Sequence, residues 1–277
     1  MKKSSIVRIV YALSALITTN FRMSLQLKNA LFPLIVLILP LIPTIAWRVI
    51  YHFYPPPPGS NESDPYFLFS ILCASMYLQF IVPLLALGKG MSTFSEEVEE
   101  GTLMFLFLRP VPRTIIVLGK YLAFICAIGF LLVISLWLTF CILGSVPDSD
   151  MIMYDFNVLV KDTWVLFLGL SAYGAVMMLI GVYFKHSLMV GIILLFVWDA
   201  FAAYLPGTAN KLTIKHYLQS IFPHDRTETG LAALLSEHPP DSLERSLLTL
   251  FLLISVCIVM TTLVLKHKQF GGKQETA

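Results

Sequence analysis

Four glutamates, Glu96, Glu97, Glu99 and Glu100, run into Gly101-Thr102-Leu103, and a short apolar stretch then ends at Arg109-Pro110-Val111-Pro112-Arg113. This segment, residues 92–113, is the only sizeable charged stretch between two long apolar runs in the N-terminal half. Its chemistry is docking rather than bond making. Carboxylates clustered on a short helix suit a basic cleft, and Leu103, Phe105 and Leu106 can fill a groove. Thr93-Phe94-Ser95-Glu96 fits a capping box, with Thr93 accepting from the first turn and Glu96 reaching back. Carboxylates at a helix start also match the positive end of its dipole. Gly101 is placed to stop that helix, Thr102 to start another through Leu108, and Pro110 and Pro112 to prevent continuation into a span opening at Thr114. The expectation is a short, stiff amphipathic element held off one membrane face, able to move with a partner. A solvated acidic turn is the plain alternative for such a charge run.

Other residues that could do chemistry are fewer. Asp199, beside Trp198, is the one ionisable residue well inside an apolar window, which makes the pair a substrate-pathway candidate; an interfacial carboxylate bonded to its own bundle is the alternative. Lys161 and Asp162, near the start of another window, are either its partners or solvated. His216, His224, Asp225, Glu228 and His238 share one loop, but their spacing matches no metal-ligand pattern. Cys73, Cys126, Cys141 and Cys257 all fall in apolar windows and read as small hydrophobes. Neither Gly88-Lys89 nor Gly119-Lys120 follows a glycine at the spacing of a phosphate-binding loop, so nucleotide chemistry is not expected of this chain. An intramembrane protease would need a nucleophile and base at matched depth, and no histidine lies mid-span.

The elements that position these residues are set by the bilayer. Of 277 residues 57% are hydrophobic and 13% charged, and the mean hydropathy is +0.79; a soluble domain carries about twice that charged fraction. Six apolar windows approach the roughly 20 residues needed to cross the hydrocarbon core. They are Ala30–Tyr51, Tyr66–Leu87, Thr114–Leu143, Thr163–Phe184, Ser187–Leu205 and Ser246–Leu265. Backbone groups in hydrocarbon must be satisfied internally, so the expected fold is an all-α integral membrane protein with six transmembrane helices. Placing the N-terminus inside puts 13 of the 19 Lys and Arg residues on that side. The short outer loops are instead acidic, so both termini are expected to be cytoplasmic. The charge balance therefore reflects topology and leaves no nucleic-acid footprint.

Residues 1–29 read as an interfacial amphipathic helix, with an apolar stripe through Ile6, Ile9, Leu13, Ile17 and Phe21 and a basic start. Arg8, Asn20 and Arg22 interrupt the stretch and argue against a cleavable signal peptide. Residues 30–277 read as the six-span domain. Its long outer loop, 206–245, carries two short helical patterns, after which Asp241-x-x-Glu244 caps the last span.

The run Glu97-x-Glu99-Glu100-Gly101-Thr102-Leu103, then Arg109-Pro110-Val111-Pro112-Arg113, then Leu118-Gly119-Lys120, resembles the loop after the second span in bacterial ABC type-2 transporter permeases. The copper-associated maturation permeases of nitrous oxide reductase systems are among the nearest in length and layout. The resemblance implies that this loop is a coupling helix seated in a cleft of a separate cytoplasmic ATPase subunit, which binds the ATP and Mg; no cofactor is implied in this chain. On that basis Glu96, Glu97, Glu99, Glu100, Gly101, Thr102 and Leu103 contact the subunit. Arg109, Pro110 and Arg113 set the turn back into the membrane, and Gly119-Lys120 anchors the third span. The family often mixes basic residues among these glutamates; here they are all acidic, which implies a basic cleft opposite. The resemblance further implies export across a bacterial plasma (inner) membrane, with a second permease copy, identical or related, completing the translocation unit. A reading of another class is a mechanotransmission subunit acting on an extracytoplasmic protein through loop 206–245, and a third is an outer-facing membrane enzyme.

Overall fold

The computed structural model describes residues 14–54 apart from 16 and 25, 65–99, 112–145, 156–198 apart from 185, 213–222 and 242–267. Among the described residues all regular structure is helical. Residues 17–24 form a helix ahead of α1 (Leu27–Ile38) and α2 (Leu41–Phe53). Helix α3 is one rod of five consecutive pieces, from Pro65–Ile71 to Met91–Glu99. Then come α4 (Arg113–Gly144), α5 (Phe156–Tyr183), and α6 (Ser187–Ile192 continued by Ile193–Trp198). Helices α7 (Ile214–Ile221) and α8 (Leu243–His267) complete the order.

Five stretches are long and apolar enough to cross a membrane: Ala30–Phe53, Pro65–Ser95, Arg113–Gly144, Phe156–Tyr183 and Leu243–Lys266. The remaining expected span, Ser187–Leu205, is a shorter apolar helix over Ser187–Val197, and residues 199–205 lie outside the described residues. Residues 1–13 of the expected interfacial helix also lie outside them, and that element separates from α1 at Gln26, whose extended ψ of 139° breaks the helix.

Prolines shape the first two spans. The first is not one helix as the window Ala30–Tyr51 suggested but two, α1 and α2, meeting at Leu39-Pro40. Pro40 and Pro43 have no N–H to donate, so the helical ladder breaks there. The break frees the Leu37 carbonyl, which accepts instead from Ser135 Oγ of α4 at 2.8 Å. Ser135 and Thr139 also bond Tyr77 Oη of α3, at 2.8 and 2.9 Å, so one buried polar cluster joins the first three spans. In α3, Pro83 cannot donate to the Gln79 carbonyl, and the helix widens around it. Two π-helical stretches result, Leu72–Ile81 and Ala86–Gly90; the Val82 N–H reaches Tyr77 O, and the Met91 N–H reaches Ala86 O. Each such widening turns the helix beyond it onto a different face.

Helix α5 is the hub, packed on α3, α4, α6, α7 and α8. It carries little amphipathic pattern because it is buried nearly all round, in contrast to α8, whose Leu248, Phe251, Leu252, Val256 and Val259 are exposed as lipid-facing residues would be. Glycine lets α3 approach it. A Cβ on Gly90 would stand 3.3 Å from the Gly174 Cα, and one on Gly181 would stand 2.7 Å from the Met91 carbonyl oxygen. Backbone cannot yield as a side chain can. Gly181→Val is therefore expected to cost about 1–3 kcal/mol, read as a fall in thermal midpoint in detergent. Gly129→Val, whose Cβ would press on the movable Phe167 ring and otherwise meets only the Leu170 side chain at an ordinary 3.7 Å, should fall less; equal losses would refute the close-approach account.

Candidate functional site

The two ends of the bundle differ. At one, Arg48 of α2 donates to the Ser145 carbonyl at the end of α4, 2.9 Å away. At the other, α3 leaves the bundle and α4 enters it, and the sequence's charged segment lies between them. The helix there carries Glu96, Glu97 and Glu99 on its last turns, continuous with the span before it. Glu100, Gly101, Thr102, Leu103, Arg109 and Pro110 lie outside the described residues.

The continuity corrects one expectation. Thr93 does not begin a helix as the cap of a box. It sits inside α3, and its hydroxyl donates to the Lys89 carbonyl at 2.8 Å, one turn back. The π-helical stretch through Gly90 passes directly into Met91–Glu99. No break is needed, since glycine here gives a close approach to α5 instead of a stop. The charged segment thus leaves the membrane on a rigid extension of the second span.

Lys120 holds that extension. Its side chain is 5% exposed. The ammonium donates to the Thr93 carbonyl at 2.9 Å and stands 4.6 Å from the centre of the Phe94 ring, itself wholly buried. A buried ammonium costs several kcal/mol unless its charge is met; a carbonyl and an aromatic face both meet it. The ion thereby pins α3 to α4 at the base of the charged segment. On the other side of that segment Arg113, the first residue of α4, donates to the carbonyls of Leu265 and Lys266, each at 2.9 Å. These carbonyls end α8, where a cation also meets the negative pole of the helix. Met91, packed against Gly181 and Gly191, ties α3 to α5 and α6. Lys120, Arg113 and Met91 thus tie the helix ends on either side of the charged segment to the rest of the bundle.

The other candidates separate. Asp199 lies outside the described residues, and Trp198 ends the described part of α6. Lys161 is exposed, but Asp162 is fully buried on α5 and so is not solvated; its expected partner, Asp199, lies outside the described residues. The signal for that burial, a lone carboxylate within a long apolar helix, stood in the sequence beside Lys161, which suggested a wet helix end. Of the loop histidines His216 lies on α7, buried, its N–H bonded to Thr213 Oγ1 at 3.3 Å and its ring set edge-on to Tyr217. His224, Asp225, Glu228 and His238 lie outside the described residues, and among the described residues no cluster of metal ligands forms. Helix α7 packs among α3, α5 and α8, with Leu218 against Gly169 and Val82.

An all-helical bundle with these apolar spans is matched from residue 5 to residue 269 by the family described as ABC-2 family transporter protein. The chain belongs to the ABC-2 transporter family. It is a multi-pass membrane protein, the permease component of an ATP-binding-cassette transporter, and membership implies an ATPase partner. No curated protein matches the chain.

Replacing Arg113 by Gln should leave the fold intact and loosen only the end of α8. Amides of its last turn should exchange with solvent about fivefold faster, the scale of a lost charged cap. Those near Ser246 should not change. Uniform acceleration along α8 would mean that Arg113 has no local capping role.

Proposed function

We propose that this ABC-2 permease exports a substrate across a bacterial plasma membrane and is driven through residues 92–113 by a cytoplasmic ATPase subunit that holds the ATP and Mg. The observation that carries the reading is the seat of Lys120 on Thr93 and Phe94. A loop that only reversed the chain would need no buried cation at its base. A segment that receives force needs a stiff exit from the membrane and fixed attachments, and α3 and Arg113 supply both.

On this reading Glu96, Glu97, Glu99, Glu100, Gly101, Thr102 and Leu103 enter the partner's cleft, while Arg109, Pro110 and Arg113 return the chain to α4. The Arg113 end is cytoplasmic, as are both termini. Closure of two ATPase subunits moves the segments of two permease copies, identical or related, and the tilting of α3 against α5 switches access to the path between them. Trp198 and Asp199, at the far end of α6, are the residues proposed for that path. Mechanotransmission to an external protein is the weaker reading: α7 is packed among the spans through Leu218, as part of the bundle and not as a platform standing off it.

Co-purification from native membranes in mild detergent tests the coupling. The wild-type chain should carry a stoichiometric ATPase subunit. The triple variant Glu97→Lys, Glu99→Lys, Glu100→Lys should lose it while melting at the wild-type temperature. Retention by the variant would overturn the docking assignment, and a wild-type chain that purifies alone would overturn the coupled-permease reading.

A further inference from the structure

The two π-helical stretches of α3 differ in what holds them open. The first, Leu72–Ile81, runs into Pro83, which has no N–H with which to close the α register. The second, Ala86–Gly90, meets no further proline, so every residue from Leu84 to Glu99 keeps its N–H and the α register is open to it. Here the Met91 N–H donates to the Ala86 carbonyl, five residues back; in the α register it would donate to that of Leu87. Two of the five residues are glycine, whose backbone is the least restricted. The Lys89 carbonyl receives the Ser92 hydroxyl at 3.3 Å and the Thr93 hydroxyl at 2.8 Å, side-chain donors that can stay on it while its backbone donor changes. What fixes the present register lies outside the turn: Lys120 on the Thr93 carbonyl and Phe94 ring, and Gly181 against Met91.

A wide turn of this kind absorbs one residue more than the α-helix it interrupts. Closing it would rotate Met91–Glu99 by about 100° and advance it by about 1.5 Å, so each residue would arrive where the next one stood. Ser92 would bring its carbonyl to the place of the Thr93 carbonyl, and the Lys120 ammonium would have a carbonyl to bond in both registers. Thr93 would replace the wholly buried Phe94 beneath it, and within the turn Lys89 would come toward Gly174. The two registers therefore share one polar bond and differ by one aromatic seat, which makes the present register the resting one.

We propose that Ala86–Gly90 is a swivel with two registers, the present one and an α register in which the root of the charged segment is turned by about 100°. The turn is about the axis of α3 and needs no bend in it. The swivel is argued from α3 and its seats alone; that closure of a partner ATPase throws it rests on the coupling reading above.

Pulsed electron-spin distances in the full-length chain test it, with Cys73, Cys126, Cys141 and Cys257 replaced by alanine and the chain held in lipid nanodiscs. One spin label goes on Ser95→Cys and the other on Leu118→Cys or Lys266→Cys, both exposed positions. The parent chain should give a single distance for each pair. Transposing two residues, Thr93→Phe with Phe94→Thr, puts the ring where only the turned register seats it on Lys120. At least one of the two distances should then shift by roughly 5 Å or more, the scale of a 100° turn at the helix surface. Deleting Lys89 from the transposed chain removes the spare residue and should return both distances to the parent values. Unshifted distances in a folded transposed chain would overturn the swivel. Should that chain fail to fold, deletion of Lys89 alone decides. Parent distances support a spare residue in the turn, and a shift, as deletion from an ordinary α-helix gives, overturns it. These distances are read without the ATPase, so failure of the coupling reading, seen in co-purification, is separate.

Discussion

The close approach of α3 to α5 is the constraint on which the rest of the bundle depends. Helices in lipid gain nothing from hydrophobic exclusion of one another, so their packing rests on contact area and on polar bonds. Gly90 and Gly181 remove the side chains that would hold the two backbones apart, while Gly174, opposite Gly90, leaves room for the Phe124 ring of α4. With α3 in that position, the Thr93 carbonyl and the Phe94 ring are held where Lys120 of α4 can reach both. A wider separation would take both the Thr93 carbonyl and the Phe94 ring out of reach of the ammonium. The cation seat is thus a consequence of the glycine contact.

A second theme is the satisfaction of carbonyls that proline and helix ends release. The Leu37 carbonyl, freed by Pro40, is taken by Ser135; the carbonyl of Ser145 is taken by Arg48, and those of Leu265 and Lys266 by Arg113. For the buried Leu37 carbonyl, lack of a partner in hydrocarbon would cost several kcal/mol; at the helix ends, where water can also serve, the arginines add a tie more than they relieve a penalty. In every case the donor comes from another helix, so each repair of the backbone is also a tertiary tie. The two arginines sit at opposite ends of the bundle, where a long side chain can reach a helix terminus from the headgroup region.

Much of this was legible from composition and pattern, because lipid allows few solutions. The apolar windows became helices, and the family resemblance carried by Glu97–Leu103 and Arg109–Arg113 agrees with the match over residues 5–269. What sequence reasoning misjudged was local. Thr93-Phe94-Ser95-Glu96 has the composition of a capping box, yet capping requires a preceding non-helical residue, and α3 supplies none because its π-helical turn runs straight on. The break at Pro40 was visible as a residue type but not as a consequence, since whether a proline kinks a span depends on a donor such as Ser135 being near. Of the two readings of Lys161 and Asp162, the solvated one fails for Asp162, because exposure cannot be read from a neighbour: Lys161 is exposed while Asp162, one position on, is fully buried. Burial of that kind belongs to the packing of α3 on α5, which periodicity in a helix buried all round does not reveal. The charged segment is legible in the other sense: Glu100–Pro110 lie outside the described residues, and their assigned role rests on composition and family alone.

The arrangement at the Arg113 end has a mechanical logic. On the proposed coupling α3 must not bend at its root, and the second π-helical stretch, a wide turn, lies there. Three flanks of that turn differ: Gly181 meets Met91 on one, Lys120 meets Thr93 on another, and on the third a cavity lined by Lys89 and Ser92 separates it from residues 17–24. The first two are direct contacts between helices. The third flank is the cavity, so the stiffness of the turn on that side depends on what fills it. On the proposed coupling, a turn packed on two flanks and hollow on the third has its room to move toward residues 17–24 and away from α5. The direction in which α3 can tilt under load is therefore written into which of its faces is glycine-packed and which is hollow.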